Sequence, residues 1–116
     1  MNYVHLHGRL TDDPDMKKVQ TLGDKPLTRT RFIVAVNEYQ HETQFIDCSA
    51  MGTRAEAIIK HLKKGSEVVV SGRLFMKTEK QSDGTWKKYA EVVVAHVDFV
   101  GSRTEAKPSP VIAVDA

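Results

Sequence analysis

A small all-β barrel carrying one short helix is the fold class that the sequence predicts, and three observations carry the prediction. Several stretches alternate apolar and polar residues with the period of two that belongs to strands. One stretch, just after Gly52, shifts to helical spacing. A chain of 116 residues, 41% hydrophobic and 28% charged, can enclose one core but not two ordinary ones.

The first strand is expected from Asn2 to Leu10, with Val4, Leu6, Gly8 and Leu10 inward and Tyr3, His5, His7 and Arg9 outward. Asp12, Asp13 and Pro14 end it, and a loop with turn chemistry at Gly23, Asp24 and Pro26 follows. "LTRTRFIVAVNEY" then alternates. Thr30, Phe32, Val34 and Val36 form its core side, opposite Arg29, Arg31, Ile33, Ala35, Asn37 and Tyr39. The third strand, "FIDCSAM", puts Ile46, Cys48 and Ala50 on one side and Phe45, Asp47, Ser49 and Met51 on the other. Both faces carry apolar bulk, so Phe45 and Met51 need either a second layer or a ligand to cover them.

Ala55, Ile58, Ile59 and Leu62 recur at helical spacing, with Thr53 as N-cap, Glu56 three residues on and Gly65 as the C-terminal stop. The fourth strand, Glu67 to Thr78, buries Val68, Val70, Gly72 and Leu74 and turns Val69, Ser71, Arg73, Phe75 and Lys77 outward. Asp83-Gly84 makes a hairpin turn into the fifth strand, about Trp86 to Val100, which is apolar on both sides. Residues 102–116 lack any period, contain two prolines and read as a flexible tail beyond a domain of residues 1–101. Five strands with a helix between the third and fourth is the order of the OB-fold, a Greek-key barrel whose strand face and loops bind oligonucleotides or oligosaccharides. An immunoglobulin-like sandwich would want about seven strands and no helix.

Composition excludes several function classes. No apolar run approaches the roughly 20 residues of a membrane span, and "MNYVHLHGRL" is not a secretory leader, so the cytoplasm is the default location. The single Cys48 falls on the core side, where a thiol is usually inert. No Gly-rich phosphate loop exists, and Asp12, Asp13 and Asp15 lie in a proline turn without partner carboxylates. His5 and His7 share a face at a spacing that two metal ligands could use, but nothing supplies a third and fourth ligand. Neither an enzyme nor a cofactor is expected. Net charge is only +2, so any nucleic-acid role must come from the placement of "TRTRF", "KHLKKG" and "WKKY".

"HGRLTDDPD", "FIVAVNE", "FIDCSAMGTRAEAIIKHLKKGSEVVVSGRL" and "DGTWKKYAEVVV", in that order from Asn2 to about Gly101, resemble the successive blocks of bacterial and bacteriophage single-stranded DNA-binding proteins. The resemblance implies an OB-fold that assembles as a homotetramer, binds single-stranded DNA with little sequence preference and serves replication, recombination and repair. It puts a stacking aromatic at Phe45 and another at the place held by Met51, and it commonly puts a further aromatic near Glu79. Those last two positions depart from the pattern, and Phe75, Trp86 and Tyr39 lie close enough in sequence to compensate. Lys63, Lys64 and Lys77 agree with the family's phosphate contacts. The usual acidic tip ending in Pro-Phe is replaced by "VIAVDA", so recruitment of replication or recombination proteins through that tip is not implied, and a phage or mobile-element origin is favoured.

Non-specific binding of a single strand needs flat apolar platforms for bases and cations for phosphates; each stacked base contributes roughly 1 to 3 kcal/mol. The expected platforms are Phe45 and Phe75, joined by Tyr39, Trp86 and the Met51 thioether, and the phosphate partners are Arg31, Lys64, Arg73, Lys77 and Lys87. Each has a plainer alternative. An outward Phe75 can be covered by a loop or a subunit interface, Trp86 can clamp its own hairpin, and Arg29 and Arg31 can be solvated surface charges. A different functional class on the same fold, a primosome-type adaptor acting through protein contacts, would show only weak binding to oligonucleotides.

Overall fold

The computed structural model describes residues 1–20 and 25–100. The expected turn at Gly23 and Asp24 and the expected tail lie outside the described residues. Six strands and one helix follow in order: β1 (Val4–Leu10), β2 (Lys17–Val19), β3 (Leu27–Val36), β4 (Gln44–Met51), α1 (Thr53–His61), β5 (Glu67–Lys80) and β6 (Trp86–Val100). The sheet runs β1-β5-β6-β4-β3-β2, and a further pairing of β1 with β3 closes it into a barrel. All pairings are antiparallel except the short β4–β6 contact at Cys48↔Val92 and Ser49↔Val93. Together with the helix between β4 and β5, this is the OB-fold.

Alternation sets what is inside. Leu10, Phe32, Val34, Cys48, Ala50, Val68, Val70, Val92 and Val94 point inward, and Ala55, Ile58 and Leu62 of the helical segment plug one end. Closure demands two glycines. β1 crosses β3 so closely that a Cβ on Gly8 would lie 2.2 Å from the Ala35 carbonyl oxygen, and one on Gly72 would lie 2.1 Å from that of Val93. Gly72 also borders a register shift, because Ser71 faces His96 while Gly72 faces Val94, which leaves Ala95 as an extra residue in β6.

The structure corrects the expected elements in four places. β2 is a sixth strand inside the segment read as loop; its three residues pair with Leu27 to Arg29 and are too few to show a period. Thr53 is not the N-cap. The chain must turn sharply out of β4, so Gly52 takes that place at φ 72°, and its carbonyl accepts the Glu56 N–H at 3.1 Å. Gly65 does not end the helix either: α1 stops at His61, Leu62 is already extended, and Gly65 serves a later turn whose N–H donates to the Leu10 carbonyl at 2.9 Å.

Leu74 is the fourth correction. It lies on the inward side of β5, in register with buried Val92, yet it is 42% exposed. β1 reaches only as far as Val4, opposite Gly72, so beyond that point β5 has β6 as its only paired strand among the described residues. Residues 75–80 and 86–91 therefore form a two-stranded arm that overhangs the barrel. Gly84 at φ 91° shapes its tip, where Asp83 accepts hydrogen bonds from the Thr85 N–H at 3.0 Å and hydroxyl at 2.7 Å.

Candidate nucleic-acid interface

The outward face of β4 is laid beside that of β3 by their register: Ala35↔Phe45, Ile33↔Asp47, Arg31↔Ser49 and Arg29↔Met51. Residues directly opposite in a ladder share a face, so this surface presents apolar and polar groups together in two parallel rows. Phe45 is 66% exposed. Met51 stands on the same row six residues away, about 20 Å along an extended strand.

The arm supplies the second wall. Phe75↔Glu91, Lys77↔Tyr89 and Glu79↔Lys87 share its one face, continued onto the barrel by Arg73↔Val93, and Ser49 on β4 hydrogen-bonds Glu91 on β6. The two walls enclose a cleft of about 370 Å³, to which Arg31, Ile33 and Asp47 contribute from one side and Lys77, Tyr89 and Glu91 from the other. The Arg73 guanidinium lies 5.9 Å from the centre of the Phe75 ring, and the Lys87 ammonium 5.5 Å from that of Tyr89. Two aromatic rings, each with a cation beside it, thus stand on this face of the arm, one on each strand.

Of the ten residues named from sequence, Arg31, Phe45, Met51, Arg73, Phe75, Lys77 and Lys87 share this two-walled surface. Lys64 is at its margin: its backbone N–H donates to the Asp13 carboxylate at 2.8 Å, and Asp13 lines the cleft. Tyr39, 85% exposed, sits in the β3–β4 connection beyond the strand ends. Trp86 pairs with Lys80 and so points to the other face of the arm, in phase with Met76 and Leu74.

Electrostatics divides these residues further. Lys77 is already held between Glu91 at 3.7 Å and Glu79 at 4.0 Å, so a phosphate must compete for it. Arg31, by contrast, has no ion pair among the described residues. The cleft itself is lined by carboxylates of Asp12, Asp13, Asp47, Glu79 and Glu91 against only Arg31 and Lys77. A polyanion backbone is repelled from such a place, whereas the uncharged bases are not. The aspartates after β1 are used as fasteners, with Asp13 bound to Lys64 and Asp15 accepting the Arg31 N–H at 2.7 Å.

Catalytic alternatives find no support in the geometry. Burial, then the nearby Asp47 and Glu91 charges, pushes the Cys48 thiol up to about 12, the reverse of an activated nucleophile. His5 bonds Ser71 at 3.0 Å and His7 bonds Glu67 at 2.7 Å, and among the described residues no three His, Cys, Asp or Glu groups are placed to hold a metal. No helix among them is long and apolar enough to cross a membrane.

Residues 1–100 match the model of the single-strand binding protein family. The chain belongs to that family. It is 37% identical over 112 residues to "Single-stranded DNA-binding protein 1" of Clostridium acetobutylicum, a match covering 91% of this chain and 99% of the relative. A single-stranded DNA-binding protein of Clostridium perfringens is 36% identical across 88% of this chain and 67% of its own length. One from Fusobacterium nucleatum is 32% identical across 91% and 71%. These relatives are bacterial, and a phage origin for the chain is not shown. The family is one of binding proteins, not enzymes.

The residues that sequence reading missed are Tyr89, Asp47 and Glu91. Tyr89 alternates in phase with Lys87, which was the available signal, but a strand apolar on both sides hides which face is the working one. Only the pairing with Lys77 puts Tyr89 in the cleft.

Proposed function

We propose that this protein binds single-stranded DNA without reading its sequence closely, laying the strand over the outward face of β3 and β4 and along the arm. Bases turn inward onto Phe45, Phe75 and the cleft; phosphates run outside along Lys64, Arg73 and Lys87 and pass Arg31 where it reaches the cleft wall. The observation that carries this reading is the cleft between the β3–β4 face and the arm, with an exposed Phe45 on the same β4 row as the cleft-lining Asp47 and two aromatic rings with cations beside them on the arm. Stacking accepts any base because every base has a π-face, and the cations gain by releasing counterions from the strand. Membership of the single-strand binding family supports the same partner.

A homotetramer fits the strand edges. β1 pairs with β5 along Val4 to Arg9 but with β3 only at Arg9 and Leu10, which leaves its other edge from Val4 to Gly8 unpaired among the described residues. A second copy would satisfy that edge. We assign the protein to the protection and organisation of unpaired DNA in the cytoplasm during replication, recombination and repair.

Titration of a labelled oligothymidine, followed by anisotropy at several salt concentrations, tests the binding. With four phosphate contacts per protomer, the slope of log affinity against log salt should be about −3, since each contact contributes roughly −0.7 on single strands. A flat salt response, or no saturable binding, would remove single-stranded DNA as the partner and favour an adaptor.

A further inference from the structure

We propose that the cleft between the β3–β4 face and the arm is a subsite for one unpaired nucleobase, in which Tyr89 supplies the stacking ring and Asp47 accepts a hydrogen bond from an exocyclic amine, favouring amino-bearing bases over thymine. The proposal rests on the single-strand reading above and goes beyond it by giving that surface a base preference.

Three observations support it. The cleft, at about 370 Å³, is within the roughly 300 to 1,000 Å³ of small-molecule sites. The half-buried Tyr89 ring lines it, steadied by its hydroxyl 3.5 Å from the Gln81 side-chain nitrogen. Tyr89 stands directly across from Lys77, one row from the Glu79↔Lys87 pair, so it puts a ring on the arm beside a place where β5 offers only Glu79. The third observation concerns the carboxylates.

Among those lining the cleft, all but one are engaged. Glu91 holds Ser49 and Lys77, and Glu79 is within 4.0 Å of Lys77. Asp13 and Asp12 accept backbone N–H groups. Asp47 has neither a hydrogen bond nor an ion pair among the described residues, and its ladder neighbour is the apolar Ile33. An ionised carboxylate can only accept. Cytosine and adenine offer it an amino group, and guanine offers an amine beside a ring N–H. Thymine offers one N–H set between two carbonyl oxygens, which a carboxylate repels.

Affinities for oligodeoxycytidine and oligothymidine of equal length, measured in mildly alkaline buffer where cytosine strands stay unpaired, give a ratio from which general backbone effects cancel. Asp47→Asn, whose amide can also donate, should move that ratio towards thymine by about fivefold. Tyr89→Leu should weaken both strands by about fivefold or more, while Tyr89→Phe keeps wild-type affinity. Circular dichroism and melting curves establish that each variant is folded. A ratio unmoved by Asp47→Asn, or full affinity in folded Tyr89→Leu, overturns the subsite. Failure of the wild-type protein to bind either strand would instead sink the single-strand reading, and the subsite with it.

Discussion

Phe45 and Cys48 stand three residues apart on one strand and meet opposite fates. Odd parity sends the ring out to 66% exposure, and even parity buries the thiol at 1%. An exposed phenyl ring gains free energy when a base covers it, so Phe45→Ala should weaken single-strand binding by about 1 to 3 kcal/mol without lowering the melting temperature. Cys48 should behave as core. In native protein at neutral pH it should resist thiol-specific reagents and react at once in denaturant. Because its folded value is raised from 9.0 to about 12, its contribution to stability is present in full below about pH 9 and should be lost as pH rises towards 12. Chemical denaturation across that interval, compared with Cys48→Ala, measures it. Parity was legible in sequence for both residues. The cross-strand neighbours of Tyr89 and Asp47 were not, because register is a property of the closed barrel and not of any one segment.

At the scale of elements, the barrel strands and the helix could be read from period and turn chemistry alone, whereas three kinds of feature could not. β2, at three residues, is too short to establish a period and owes its existence to the edge of β3. The cap of α1 is decided by the sharp exit from β4, which overrides the preference of threonine for that place. Leu74 fits the inward pattern, but the pattern carries no information about where the opposite wall ends. Closure itself depends on Gly8. A methyl group there meets the Ala35 backbone, which cannot swing aside as a side chain would, so Gly8→Ala should cost about 1 to 3 kcal/mol or more in thermal or urea unfolding. The arm should tolerate change better. Its tip is exposed, and hydrogen bonds from Thr85, side chain first, hold the Asp83 carboxyl below its usual value. The ordering of the tip is therefore present above the ordinary aspartate range and should fade as pH falls through the lowered value, which an NMR titration of Asp83 would follow.

For the whole molecule, a net charge of +2 conceals a separation that composition could not reveal. The cleft is lined by five carboxylates against Arg31 and Lys77, whereas Arg73 on β5 and Lys87 on β6 stand outside that lining; under the proposed docking this arrangement would orient a strand with bases in and phosphates out. Cations should therefore differ in effect. Lys87→Ala should reduce the salt slope by about 0.7, whereas Lys77→Ala should change it little, because Glu79 and Glu91 already neutralise that lysine. Assembly belongs to this scale as well: light scattering at micromolar concentration should give the mass of a tetramer, and a monomeric mass would show the β1 edge to be covered in some other way. The central claim is that unpaired nucleotides dock on the face of β3 and β4 and on the arm. Photo-crosslinking to a bromodeoxyuridine oligonucleotide, with the adducts located by mass spectrometry, tests it most directly. Adducts at Phe45, Phe75 and Tyr89 are the expected result; adducts on the outward face of β1 or on α1, with none at those three rings, would contradict it.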